Sequence, residues 1–497
     1  MLLLRLVLLS ASVFSLIAAQ TSFYVDSLSG VDKGNCTDPA QPCASPYFAL
    51  AALGSSCSAG QSGSSPCYLE ATGSFVPGAF YLGFDHPPYI VMKGANADGT
   101  KTTFQGFFVN KQETSGELLL ENLLFIETNV SAQGAVSMNG IEMRNADISS
   151  YGSNLTIANS SLTDTTINSL QGNNQYYAYH TIVHITQVSI RFSIDTPSQR
   201  SINAMMSLYV YGSKSTSGEI LVEDVSLLCD GPLTFPQSTA ILGASLGHVI
   251  LNNFTIAGCD TAYTLQVYSD QGDLYLDIMN LNLLQELPSL TQSPSHPLSV
   301  SPHRGDDFTY GLVASASGSG GNGLYVTAKN VLARGFFSAL ELDGGKHSVT
   351  NFTCEESLTC LSVGVSWNDE FVLDLSDSHL HGASEGLHIY SAELTLDNSV
   401  FEECSLLNVN GKYGSISNSV FSGCESSSDP PLKLSRGDYK LNNVTFLDNT
   451  NKKGKPANLQ CTAATVEAED IYTESEKDIG FTCDFQCTIE VDGEKWC

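Results

Sequence analysis

The sequence predicts an all-β chain wound as a parallel β-helix, a solenoid of short stacked coils. Three observations predict it: a recurring asparagine-centred pattern, period-two apolar alternation beside each asparagine, and a composition low in charge and high in turn formers. The chain has 497 residues, of which 42% are hydrophobic and only 15% charged, with 42 glycines. Soluble domains average about 25% charged residues. Such a chain is too apolar for an acidic disordered tail and lacks the composition of a helical protein. With 22 Lys and Arg against 52 Asp and Glu, the formal net charge is −30. That excess excludes nucleic acid and an anionic membrane surface as partners, since both need clustered cations.

The recurring pattern is apolar-x-apolar-x-Asn-x-x-apolar. It is clearest around Asn398, Asn418 and Asn443, and aligns further copies at Asn122, Asn145, Asn159, Asp224, Asn253, Asn280, Asn330, Asn351 and Asp377. The clear steps, such as Asn398 to Asn418 and Asp224 to Asn253, run from 20 to 29 residues, and the gaps 159–224 and 280–330 leave room for divergent copies. Alternation before the Asn reads as a strand with one face buried. Asn tolerates the left-handed region and marks a sharp corner. A second alternating run upstream, as in Leu340-Glu-Leu342 and Leu387-His-Ile389, makes about three strands per repeat. One coil cannot bury its own inner face, but a stack can. Coils about 4.8 Å apart would place Asn on Asn and Phe on Phe.

Cysteine supports this register. Cys259, Cys404, Cys424 and Asn449 each fall six residues after a corner. Cys404 and Cys424 would sit on adjacent coils, bonded or stacked as buried thiols. The domain reading is a signal peptide at 1–19, an N-terminal cap with Cys pairs at 20–70, a β-helix at 71–450 with an irregular insertion at 285–323, and a Cys-rich C-terminal cap at 451–497.

The asparagine corners, the opening Phe23-Tyr-Val-Asp26 with Cys36 and Cys43, and the helix-like Tyr47–Leu53 resemble the secreted right-handed β-helices of the pectin-lyase-like group. That resemblance implies a right-handed coil with an amphipathic helix over its open end. Phe401-x-x-Cys404, Phe421-x-x-Cys424 and Phe446-x-x-Asn449 resemble the repeats of polymorphic outer-membrane proteins, without the accompanying Gly-Gly-Ala-Ile.

Export is read from the first 19 residues: Arg5, the apolar run Leu6–Ile17, then Ala18-Ala19. No later run is long and apolar enough to predict a transmembrane segment. Fourteen cysteines in an exported chain imply disulfides. Sequons at Asn35, Asn129, Asn154, Asn159, Asn253, Asn351 and Asn443 are candidate glycosylation sites.

Among pectin-lyase-like hydrolases the resemblance implies Asn-Thr-Asp, Gly/Gln-Asp-Asp, Gly-His-Gly and Arg-Ile-Lys, of which only Gly305-Asp306-Asp307 is present, inside the irregular insertion. Arg304-Gly-Asp306 reads as a chance tripeptide. If the leucines of the upstream run point inward, an outward ladder of Glu341, Ser362, His388, Asn408 and Lys433 follows, with Asp343, Tyr390 and Asn410 beside it. Tyr209, Tyr211, Gln266 and Tyr268 extend it on earlier coils. Tyrosines interleaved with amides can stack on sugar faces and bond hydroxyls, which makes Tyr209, Tyr211, Gln266, Tyr268, Tyr390 and Asn408 the candidate ligand residues. The simpler account is that such residues suit an exposed strand. Glu341, Asp343, His388 and Lys433 are the weak catalytic candidates, with Glu341 and His388 about 10 Å apart by coil spacing. His180 and His184 lie too far apart along one strand for a single ion; His379 and His381 share a face but lack an evident third ligand. Neither metal nor cofactor is expected. The reading is a secreted, non-catalytic β-helix for adhesion, coat or glycan binding, with an extracellular glycan or surface protein as partner. The alternative is a polysaccharide lyase or glycoside hydrolase.

Overall fold

The computed structural model describes residues 22–56, 66–76, 78–82, 89–111, 116–151, 154–170, 182–193, 204–211, 218–230, 238–259, 261–269, 272–285, 309–316, 323–364, 371–383, 386–390, 392–403, 407–426, 430–451, 454–474, 479–484 and 486–497. The architecture is a right-handed parallel β-helix. The chain divides into two compact units, residues 1–165 with 170–172, and residues 166–169 with 173–497. The expected signal peptide lies outside the described residues, as do Arg304-Gly-Asp306-Asp307 and Cys404.

In the first unit, Ser22–Asp26 pairs in parallel with Cys67–Thr72, which pairs with Tyr89–Gly94. The helix expected near Tyr47–Leu53 spans Pro46–Ser56. Ser45 Oγ accepts the Phe48 amide at 3.0 Å, and Pro46 occupies the first turn, where its missing N–H has no cost. Phe75, Phe104 and Phe125 stack inside, with centroids 5.0 and 5.7 Å apart.

In the second unit each coil contributes a strand bent at its corner and a strand in a second parallel sheet. The bent strands include Gly218–Cys229, Gly247–Ala257, Leu274–Leu284, Leu324–Arg334 and Lys346–Glu355, paired in that order. Leu274–Leu284 pairs directly with Leu324–Arg334, so no hidden coil fills the gap 280–330. The stretch expected as an irregular insertion contains Tyr310–Ala316, a strand of the second sheet. Pairing also runs past residue 450: Asp438–Asn442 pairs with Thr465–Glu469, and that with Thr488–Val491. Leu340, Leu342, Leu361, Val363, Leu387, Ile389, Leu407, Val409, Leu432 and Leu434 all point inward and are buried.

The corners are left-handed. Asn122, Asn159, Asp224, Asn253, Asn280, Asn330, Asn351, Asp377, Asn398, Asn418 and Asn443 all have φ between 46° and 57°. Gln187 (φ 54°) supplies a copy missing from the gap 159–224. Asn145 is a correction. Its strand pairs Met143 with Phe125 and Leu162, so it belongs to a second bend, shared with Glu127 and Asp164; the first corner of its coil is Gly140 (φ 66°). The second bend follows the first by five residues and recurs at Glu356, Gly382, Glu403, Gly423 and Asp448. Glycines and acidic residues there follow no apolar pattern, which hid it from sequence reading.

Side chains link the corners of several adjacent coils. Asn253 Nδ2 donates to Asp224 Oδ1 (2.7 Å), Asn351 to Asn330 (2.7 Å), Asn330 to Asn280 (2.8 Å), Asn398 to Asp377 (2.6 Å) and Asn443 to Asn418 (2.9 Å). An ionised Asp accepts but cannot donate, so Asp224 and Asp377 begin ladder segments. One residue on, buried serines form a second ladder. Ser378 and Ser399 amides donate to Ser399 and Ser419 Oγ, and each of these hydroxyls donates to a carbonyl of its own coil. These hydroxyls satisfy amides that a bend would otherwise strand in the core. Inside, Phe401, Phe421 and Phe446 stack at 4.8 and 5.3 Å, close to the strand spacing. Tyr439 occupies a column position beside Gly414, whose added Cβ would lie 2.6 Å from the Tyr439 ring. Its hydroxyl donates to the Ser435 carbonyl at 2.8 Å.

Disulfides join Cys36–Cys43 at one end, and Cys461–Cys487 and Cys483–Cys497 at the other. Two more lie within the coils, Cys229–Cys259 and Cys354–Cys360. Cys424 is buried, and its amide donates to the Oδ1 of Asn449 on the next coil (3.0 Å).

Asn418 combines both corner roles: φ is 50°, its Nδ2 donates to Asp397 and its Oδ1 accepts from Asn443. Asn418→Ala is expected to cost about 2–3 kcal/mol and Asn418→Gly about 1 kcal/mol in denaturant unfolding, because glycine keeps the backbone and loses only the ladder. His347 is 2% exposed in the interior column between Val326 and Leu373. Among the described residues its ring nitrogens find no hydrogen-bond partner. Burial, slightly offset by the Gly344 backbone, pushes its pKa down to about 4. The neutral ring is the folded form, so its contribution is complete above pH 6.5 and is lost as pH falls from 6.5 toward 4, by about 3 kcal/mol. Stability curves of wild type and His347→Leu should therefore diverge only in that window.

Candidate functional site

The second sheet positions the candidate residues. In-register pairing aligns Ile241, Gln266, Val313, Glu341, Ser362, His388, Asn408, Lys433 and Gln460 in one outward column. A neighbouring column holds Tyr209, Gly243, Tyr268, Ser315 and Asp343. Tyr390 and Asn410 pair in the continuation of that face. The alternation that buries the leucines turns these side chains to the outside. The side chain of Tyr211 lies outside the described residues.

Two aromatic groups stand on this face. The rings of Tyr209 and Tyr268 approach to 6.0 Å across Gly243. A Cβ on Gly243 would collide with the Tyr209 ring and press on the Tyr268 ring at 3.0 Å, so the missing side chain is what lets them close over the backbone. Tyr263 stacks on Tyr310 at 5.2 Å and 17°, and Phe337 meets Tyr310 edge-on at 6.0 Å. The second group was not anticipated. Tyr263 precedes two successive buried residues, Thr264 and Leu265, so the alternation breaks there and the parity rule assigns the ring to the wrong side. Tyr263 and Tyr268 are five residues apart on one strand, which sets the two groups about 16 Å apart. Between them lies Gln266, whose Oε1 accepts from Ser238 Oγ at 3.0 Å.

Glu341 and Asp343 alternate on one strand, about 7 Å apart along it. Glu341 is half-buried; burial, then the charge of Asp343, raises its pKa. Burial, then the Glu341 charge and Tyr263, raises the pKa of Tyr310. His388 is two rungs from Glu341, about 10 Å, and Lys433 is four rungs away, about 19 Å. The structure thus brings Glu341 to Asp343 and to the aromatic stack, and keeps His388 and Lys433 apart from them. His388 instead meets Tyr390 edge-on at 6.2 Å.

Elsewhere, His379 and His381 each face a carboxylate of the next coil, Glu402 at 3.1 Å and Glu403 at 3.7 Å. The sulfurs of Cys483, Cys487 and Cys497 lie within 4.8 Å of one another, but all three are in disulfides and offer no thiolate to a metal. Asn159, Asn253, Asn351 and Asn443, four of the seven sequon residues, use their Nδ2 groups in corner hydrogen bonds. Asn35, Asn129 and Asn154 are exposed. No described helix is long and apolar enough to cross a membrane.

No family model matches the chain, and no curated protein matches its sequence. Among solved structures it is similar to a lacto-N-biosidase of glycoside hydrolase family 136 from Eubacterium ramulus, at 9% identity and TM-score 0.19, covering 95% of this chain and 67% of that one. It is also similar to the receptor-binding domain of the Siphovirus 9NA tailspike, at 9% identity and TM-score 0.22, covering 85% and 72%. An alginate lyase of polysaccharide lyase family 6 matches at 10% identity and TM-score 0.21, covering 86% and 97%. At such low scores these likenesses bear on neither the site nor its chemistry.

Gly243→Val is expected to force the Tyr209 and Tyr268 rings apart while the coil stays folded. A crystal structure of the variant checks this; unchanged ring positions would contradict the role given to Gly243.

Proposed function

We propose that this is a secreted, non-catalytic β-helix that binds an extracellular glycan along the outward face of its second sheet. The observation that supports it best is the pair of aromatic groups, Tyr209 with Tyr268 and Tyr263 with Tyr310 and Phe337, set on either side of an amide. Tyrosine rings stack on the apolar faces of sugars, while hydroxyls, amides and carboxylates bond the sugar hydroxyls. Five disulfides with both partners described accord with an oxidising compartment. In this reading Asn35, Asn129 and Asn154 are the sequons that carry glycans.

One observation favours a second reading, hydrolysis or lyase chemistry. A carboxyl with a raised pKa beside a second carboxyl is the arrangement acid–base cleavage of glycosides uses. Release of reducing or unsaturated sugar ends, abolished by Glu341→Gln, would establish it.

The test of the leading reading is a glycan array followed by titration of the best ligand. Tyr310→Ala and Tyr268→Ala should each weaken binding about tenfold or more, with melting temperatures near that of the parent. Absence of any glycan binding, or variants that bind like the parent, would overturn it.

A further inference from the structure

The charge of the aromatic face bears on which sugars fit it. Seven strands build that face: Thr166–Leu170, Ala204–Tyr211, Ser238–Ser245, Tyr263–Ser269, Tyr310–Ala316, Ser338–Asp343 and Thr359–Val363. None carries a Lys, Arg or His. They carry two carboxylates, Glu341 and Asp343, on a chain of net charge −30. In the same outward column His388 stands two rungs from Glu341, and the nearest permanent cation, Lys433, stands four rungs away. That is about 19 Å, more than twice the Debye length of about 8 Å in physiological salt, so it offers no effective partner to an anion bound at the aromatic groups.

Uronic acids and sulfated sugars bring an anion on many of their residues. Proteins hold such anions with Arg or Lys, through charge-assisted hydrogen bonds. Here the anion would meet two carboxylates instead, one of them half-buried and resisting ionisation because of that burial first and the charge of its neighbour second. Like charges brought together at an interface act against a partner rather than for it. Uncharged sugars meet no such opposition. Their C–H faces can lie on Tyr263, Tyr310 and Tyr268, and their hydroxyls can donate to Glu341, Asp343 and Gln266.

We infer that the face from Tyr209 to Asp343 takes an uncharged glycan and rejects uronate-bearing and sulfated ones. This inference rests on the glycan-binding reading, and one panel separates the two. The intact protein is titrated at pH 7 and physiological salt against neutral polymers (β-glucan, galactan, mannan) and against alginate, polygalacturonate and a sulfated galactan. A neutral polymer should bind at least about tenfold more tightly than any anionic one. Raising the salt should narrow that gap on the parent protein alone, as should the double variant E341Q/D343N. Equal or tighter binding of the anionic polymers would overturn the inference and leave glycan binding standing. Binding of neither class would overturn the glycan-binding reading itself, and this inference with it.

Discussion

A left-handed corner repeated from coil to coil is the constraint from which the rest of this structure follows. L-residues resist positive φ at roughly 1–2 kcal/mol each, and asparagine relieves the cost best because its short amide finds local partners. Here the partner is the corner side chain of the adjacent coil. Asn351 donates to Asn330 and Asn330 to Asn280, so each amide both permits its own bend and holds its neighbour. The serine ladder one residue on solves the same problem for the backbone: a bend leaves amides pointing into the core, and hydroxyls at Ser378, Ser399 and Ser419 receive or relay them.

Once the corners fix the register, the faces of the coil are fixed too. A one-residue slip in a strand would exchange the leucine columns for the Gln266–Lys433 column, placing charges in the core. The outward face therefore inherits its order from the inward one. Interior columns stack like on like, as in Phe401, Phe421 and Phe446, while the outside is free to carry tyrosines, amides and carboxylates in the same strict rows. Local exceptions are matched in pairs. Gly414 makes room for Tyr439 inside, and Gly243 makes room for Tyr209 and Tyr268 outside.

The sequence made the main frame legible because its signals repeat. Eleven of the twelve aligned corners have the left-handed φ at the first bend, and the outward ladder from Glu341 to Lys433 pairs in the order expected. What escaped notice lacks a repeating signal. Asn145 is left-handed as well, but at a second bend whose residues are glycine or acidic in most coils. Cys229 pairs with Cys259, although it stands five residues after its corner and Cys259 six. Tyr263 and Tyr310 follow a break in alternation, so parity misassigns them. His347 sits in a leucine column where only the structure reveals that it is buried and unbonded among the described residues.

The register of the second sheet is what turns a repeat into ordered outward columns, and a crosslink tests it most directly. Asn408 and Lys433 are in-register neighbours on adjacent coils, which puts their Cα atoms within the 4.4–6.8 Å that a disulfide spans. Asn408→Cys with Lys433→Cys should oxidise to a disulfide that peptide mapping locates, in a protein that keeps its β-sheet spectrum. Asn408→Cys with Leu434→Cys, one residue out of register and facing inward, should not. Failure of the first pair to close, or closure of the second in its place, would contradict the account.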